Sequence, residues 1–212
     1  MLFLQLALIS VFFSHNITES SANQSDNYKS DIENWQNELN SQFRDKDNSP
    51  LTEEGLSVFV GLNFYEVSQN YKVKAKFTLT PFEPVFKMKT NTARLPEYKI
   101  YGIAAFELNG KKFELNVYQN QRLMHMEGYE DYLFIPYTDL TSGNTSYAGG
   151  KYIEARIPKT DILIIDFNKS YNPYCAYNHK YSCPIPPRDN HLDIRIEAGV
   201  KAYTDLDDKS HH

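Results

Sequence analysis

Two acids set among phenols and amides are the first places where this sequence could do chemistry. Asp139 stands near Thr141 and Tyr147 in "IPYTDLTSGNTSYAGGKYI", and Asp166 stands near Asn168, Tyr171 and Asn172 in "IDFNKSYNPYCAYNHKYSCPIPP". Two carboxylates in one cleft can divide acid and base work when their surroundings push their pKa values apart, as a hydrolase requires. A loop-bound metal is another route to hydrolysis. Short polar side chains in Pro-rich loops also hydrogen-bond nearby backbone and simply hold the loop. The same stretches suit recognition: Asp139, Tyr147, Lys151, Asp166, Asn168, Tyr171 and Asn172 are candidate contacts for a small polar ligand or sugar in a tyrosine-lined pocket. No motif assigns a catalytic residue. Three readings therefore stand together: a binding module, a hydrolase, and a scaffold or partner-binding protein without a ligand.

Both cysteines lie in the second stretch, eight positions apart. In an oxidising compartment, Cys175 and Cys183 would close a small loop with a disulfide that contributes about 2 to 3 kcal/mol by chain entropy. Zinc is an alternative, but Cys175, His179 and Cys183 would need a fourth ligand such as Asp189 or His191. Pro173, Pro184, Pro186 and Pro187 also argue against the helix that would align them. A cysteine nucleophile would need a positive neighbour, and only His179 and Lys180 are near in sequence. Two reduced, buried thiols complete the alternatives. Gly143, Gly149, Gly150 and Lys151 do not match a phosphate loop, because six residues separate Gly143 from Gly150 and Tyr152 follows Lys151. They read as a long turn that lets the next strand start beside another backbone. His125 and His191 read as structural, and no metal or cofactor is assigned.

Loops of this length need a rigid frame, and a period of two supplies it. In "YKVKAKFTL" the odd positions Tyr71, Val73, Ala75, Phe77 and Leu79 are apolar and the even ones polar, a strand with one wet face. "YGIAAFELNGKKFELNVY" predicts a hairpin turning at Asn109 and Gly110, the pair that tolerates a type I′ turn. Further strands are expected over 62–67, 84–89, 132–136, 151–157, 162–167 and 191–198. Ahead of them, Ser30 and Glu33 form a capping box for a helix over about 30–45, with Ile32, Trp35, Leu39 and Phe43 on one face. Ser49 and Pro50 mark the start of a short second helix. The expected fold is all-β, an antiparallel sandwich or barrel-like sheet, with one or two N-terminal helices.

Four blocks, "SPLTEEGLSVFVGLNFY", "LFIPYTDLTSGNTSYAGGKYI", "DFNKSYNPYCAYNHKYSCPIPPRDNHL" and "IEAGVKAY", resemble the bacterial and archaeal family known as domain of unknown function 1684. The resemblance covers most of residues 49–203. It implies an all-β domain and brings no settled catalytic residues. Where the family has Gly-Gly-Arg-Tyr, this chain has Lys151 before Tyr152, which replaces a planar, forked anion contact by a point charge.

Of the 212 residues, 41% are hydrophobic and 23% charged, the balance of one globular domain. A net charge of -5 without a basic run argues against nucleic-acid binding. "MLFLQLALISVFF" is too short to span a bilayer and reads as the core of a signal peptide over residues 1–22, cleaved after Ala22. The expected organisation is that peptide, a disordered leader over 23–29, one β-rich domain over 30–208 and a tag remnant over 209–212. The mature protein is expected to be secreted or periplasmic, with no stable membrane association.

Overall fold

The computed structural model describes residues 10–203, with side chains from residue 25 onward. Of the expected signal peptide, residues 1–9 and every side chain lie outside this range, as does the tail over 209–212. Among the described residues, no helix is long and apolar enough to cross a membrane.

Helix α1, Ser10–Arg44, starts well before the boundary expected at Ser30. Residues 23–29, expected as a disordered leader, belong to this helix, and Ser30 and Glu33 lie inside it rather than capping it. The cause is tertiary. Tyr28 is buried, and its hydroxyl lies 2.9 Å from both oxygens of Asp166, a donor bond across 138 positions. The expected apolar face is present, with Ile32 and Phe43 buried and Trp35 and Leu39 half-buried. Phe43 packs on Phe59, Tyr174 and Tyr177, and burying a side chain of this size contributes about 1.5 to 3 kcal/mol. Helix α2, Glu53–Val58, is capped by Thr52, whose hydroxyl accepts from Gly55 N at 3.0 Å. Ser49, expected as the cap, stands three residues too early for a helix that begins at Glu53; its hydroxyl donates to Phe43 O at 2.7 Å and accepts from Leu51 N at 3.2 Å.

The sheet is built from β1 (Lys72–Leu79), β2 (Val85–Lys87), β3 (Glu97–Leu108), β4 (Lys111–Asn120), β5 (Tyr132–Asp139), β6 (Lys151–Arg156), β7 (Ile162–Asp166) and β8 (His191–Leu192). Its order is β6-β5-β4-β3-β1-β7, with β2 beside β3 and β8 beside β5. All pairs are antiparallel except β5 with β8. The result is a curled half-barrel, the barrel-like form of the expected all-β fold. In β1, Val73, Ala75 and Phe77 turn inward as expected, whereas Leu79 at the strand end is exposed. The β3–β4 turn is formed by Asn109 (φ 51) and Gly110 (φ 73), as its dipeptide predicts. The interior holds Val73, Phe77, Phe106, Leu115, Ile135, Tyr137, Ile153, Ile165 and Phe167 among others. A second cluster, with Met88, Tyr98, Tyr118, Phe134 and Tyr152, covers the other face.

Two expected strands are nearly absent. The 62–67 segment keeps one isolated bridge, Phe64 to Val200. The strand expected over 191–198 stops at Leu192, where Ile194 N turns back onto Leu192 O at 2.8 Å, and side chains claim the backbone beyond. Ile196 N donates to Asp139 Oδ1 at 3.2 Å, and Ile196 O and Ala198 O accept from Lys151 Nζ.

Candidate functional site

The pleat of β5 and β6 creates two environments. Their register pairs Tyr137 with Lys151, Pro136 with Tyr152 and Ile135 with Ile153. Side chains alternate along a strand, so Lys151 and Ile153 face the interior with Tyr137 and Ile135, while Tyr152 and Glu154 face outward.

Inside, Lys151 and Asp139 form an ion pair, Nζ to Oδ2 at 3.3 Å, with both side chains 0% exposed. Asp139 Oδ1 accepts from Thr141 N at 2.7 Å and from Ile196 N. Lys151 Nζ donates to Ile196 O at 2.9 Å and Ala198 O at 3.3 Å, and lies 5.5 Å from the rings of both Tyr65 and Tyr137. Burial pulls the Lys151 pKa down, and the Asp139 carboxylate opposes that. Gly150 makes this approach possible. Its φ is +85, and a Cβ there would collide with the Tyr137 carbonyl. The pair is therefore a sealed pin joining β5, β6 and the 194–198 segment.

Asp166 belongs to a separate knot. Besides Tyr28, it accepts from Asn168 N at 3.1 Å and Asn168 Nδ2 at 3.0 Å. Asn168 completes the knot on Ser68, accepting from its N at 3.1 Å and donating to its O at 2.9 Å. Asp139 and Asp166 share no hydrogen-bond partner among the described residues, and neither lines the cavity described next. Asn172 is also buried, donating to Lys201 O at 2.9 Å.

Outside, a cavity of about 470 Å³ lies between α1, β6 and the 169–184 segment. Its walls carry five aromatic rings, Trp35, Tyr152, Tyr171, Tyr174 and Tyr181, and its charges are Glu38, Glu154 and Lys169. Tyr171 OH donates to Glu154 Oε1 at 2.7 Å. Burial, then Tyr132 and Glu154, push the Tyr171 pKa well up, so this phenol stays protonated and a donor. Tyr152 OH donates to Pro184 O, fixing the wall. Of the seven contacts expected from sequence, only Tyr171 lines this cavity. The two C-terminal loops do meet, through Tyr147 OH and Cys175 Sγ at 4.0 Å, but the glycine loop supplies no lining residue.

Cys175 and Cys183, expected as a disulfide, are free, buried thiols in the structure. They are brought together nonetheless: Cys175 N donates to Cys183 Sγ at 3.2 Å, and Cys183 borders the cavity. The Cys183 thiol, hydrogen-bonded to Cys175, holds Cys175 down at about 7 and is itself pushed up by the same bond. Among the described residues, no three His, Cys, Asp or Glu side chains gather as a metal centre requires. His191 instead pairs with Thr138 through Nδ1 at 2.9 Å.

Glu38, Gln42, Glu154 and Tyr181 were not singled out by their sequence context, and Trp35 was placed only on the apolar face of a helix. One signal was available for Glu154, since a strand with Ile153 inward must turn Tyr152 and Glu154 outward together. The helix residues carry none, because only tertiary docking opposes α1 to β6.

The family described as "Protein of unknown function (DUF1684)" matches residues 57–201. The solution NMR structure of an uncharacterized protein of Haloarcula marismortui is similar to this chain with a TM-score of 0.66 and 28% identity, covering 87% of this chain and 98% of that one. A search of curated proteins gives no match. With the match spanning most of the half-barrel and both C-terminal loops, the chain belongs to the DUF1684 family of proteins of unknown function.

Proposed function

We propose that this chain is an exported binding protein that takes a small polar ligand, a sugar above all, in the cavity between α1, β6 and the 169–184 segment. The observation that carries the reading is the composition of those walls: five aromatic rings with two carboxylates and one ammonium around about 470 Å³. Ring faces cover the C–H faces of a sugar, while Glu38, Glu154 and Ser182 supply partners for its hydroxyls. The N-terminal apolar run supports export. Cleavage after Ala22 would leave Tyr28 and every cavity residue on the mature chain.

Trp35 is the chain's 1 tryptophan and stands in the cavity wall, so it reports occupancy directly. Titration with a panel of mono- and oligosaccharides should shift or quench its emission, with saturation confirmed by calorimetry. A flat response and no heat across the panel would remove the sugar reading. A second reading, hydrolysis, is favoured by one observation, that Glu38 and Glu154 border the same hollow. It predicts reducing-end release from a bound oligosaccharide that Glu154→Gln abolishes.

A further inference from the structure

The thiol pair is not used by the binding reading, and its placement is unusual for inert core cysteines. Each residue is only 7% exposed, yet Cys183 borders a cavity wide enough for a small molecule. Its sulfur sits 3.2 Å from the backbone nitrogen of Cys175, and the two thiols hydrogen-bond each other, so the sulfurs are neighbours. The surroundings suit a thiolate. Tyr147 OH is 4.0 Å from Cys175 Sγ, and Arg94 anchors the turn before Cys183 by donating from Nη2 to Ser182 O at 2.6 Å and from Nε to Ser182 Oγ at 2.9 Å. Pro173 and Pro184 flank the pair and restrict the backbone on both sides.

We propose that Cys175 and Cys183 are a reversible dithiol–disulfide couple that opens onto the cavity and exchanges with low-molecular-weight disulfides. Cys183 is the sulfur a small disulfide can reach. As Cys183 attacks one sulfur of the disulfide, its proton passes to the Cys175 thiolate, a mixed disulfide forms and one small thiolate leaves. That thiolate takes the proton held on Cys175. Cys175, now a thiolate, attacks Cys183 Sγ, closes the protein disulfide and expels the second small thiolate, which is protonated from solvent. The protein loses two electrons and the small disulfide gains them, giving two small thiols. Cys175, held down at about 7 by its bond to the Cys183 thiol, is the base that receives this proton at neutral pH. The bond would close residues 175–183 into a ring that includes Tyr181 and Ser182 of the cavity wall. Oxidation therefore reaches the ligand site directly.

The test uses the full chain equilibrated in graded ratios of reduced to oxidised glutathione, quenched with an alkylating reagent and weighed intact. The expected result is one two-electron transition: two alkylated thiols at the reducing end, none at the oxidising end, with the loss of two hydrogens and no glutathione retained. Two thiols at every ratio, or a bond that resists reduction until the chain is unfolded, would overturn the proposal. Cys175→Ser should trap glutathione on Cys183, and Cys183→Ser should form its adduct about tenfold more slowly, since the reachable sulfur is gone. Equal rates would overturn the assignment of roles. If either variant fails to fold, the titration of the unaltered chain still decides.

Discussion

The sealed pin at Lys151 and Asp139 and the open cavity three residues further along β6 are made of the same residue types, and they behave oppositely. In both, tyrosine rings surround a carboxylate and an ammonium. In the pin, Lys151 meets an acid and two carbonyls, and Thr141 and Ile196 amides meet Asp139. In the cavity, Glu38, Glu154 and Lys169 are exposed and border empty space. What separates structure from available chemistry here is enclosure: the charges of the pin face each other away from solvent, although Tyr137 OH and Asp139 Oδ2 have no hydrogen-bond partner, and the strand pleat decides which side each residue falls on.

The largest expected effect breaks the pin. Asp139→Ala leaves an ammonium buried without its partner and should cost about 3 to 5 kcal/mol in urea unfolding, with little change in slope. Asp139→Leu with Lys151→Met should recover most of that loss, because a well-packed apolar pair of similar volume is often as stable as a buried ion pair. A single-variant loss under about 1 kcal/mol would mean that water reaches the pair, and the contrast with the cavity would fail.

A smaller effect tests the strap that ties α1 to the end of β7. Tyr28→Phe removes a hydroxyl from a carboxylate and should cost about 1.5 to 3 kcal/mol. Because α1 forms one wall of the cavity, the same variant should weaken any response of Trp35 to ligand. Unchanged ligand response with reduced stability would separate the knot from the cavity.

These two sites show where the sequence was readable. The alternation of β1 and the Asn109–Gly110 hairpin are local facts, so their residues reveal them. The extension of α1 to residues 23–29 depends on Tyr28 finding Asp166 across 138 positions, and no window of sequence contains both. The early end of β8 has the same origin, since Asp139 and Lys151 occupy backbone groups that a longer ladder would use. Asp139, Lys151, Asp166 and Asn168 were legible as unusual residues but not as internally paired ones. Polar types in a glycine- or proline-rich loop look alike whether they face a ligand or a buried carbonyl. The cavity was half legible: its Tyr171 and its loop stand out in sequence, whereas its helix wall does not.

Alkaline pH probes the phenols of both regions together. Burial raises the pKa of Tyr137 in the pin and of Tyr171 and Tyr152 in the cavity wall, and brings Tyr118 to about 12. An unfolded phenol ionises near 10, so between 10 and the folded values the native chain holds protons that the unfolded chain has released. Stability is then fully present below pH 10 and falls as pH rises beyond it. Ultraviolet titration should show the buried set ionising only as the chain unfolds. Smooth ionisation of all phenols near 10 in a folded chain would contradict the burial of both clusters.

The smallest stability effect is the sharpest test of the difference. Tyr171→Phe removes a half-buried hydroxyl bonded to Glu154 and Tyr132 but leaves the ring in place, so it should cost about 0.5 to 1.5 kcal/mol, well under the loss expected for Asp139→Ala. Its effect should appear instead in ligand binding, because the lost hydroxyl borders the cavity and holds Glu154 in orientation. A loss of about tenfold in affinity, near 1.4 kcal/mol, is expected for one such contact. Asp139→Ala and Tyr171→Phe would then have contrasting signatures, the first a large loss of stability and the second a loss mainly of recognition. If Tyr171→Phe instead unfolds the chain as readily as Asp139→Ala, the aromatic wall is part of the core, and the empty space beside it is a packing defect rather than a site.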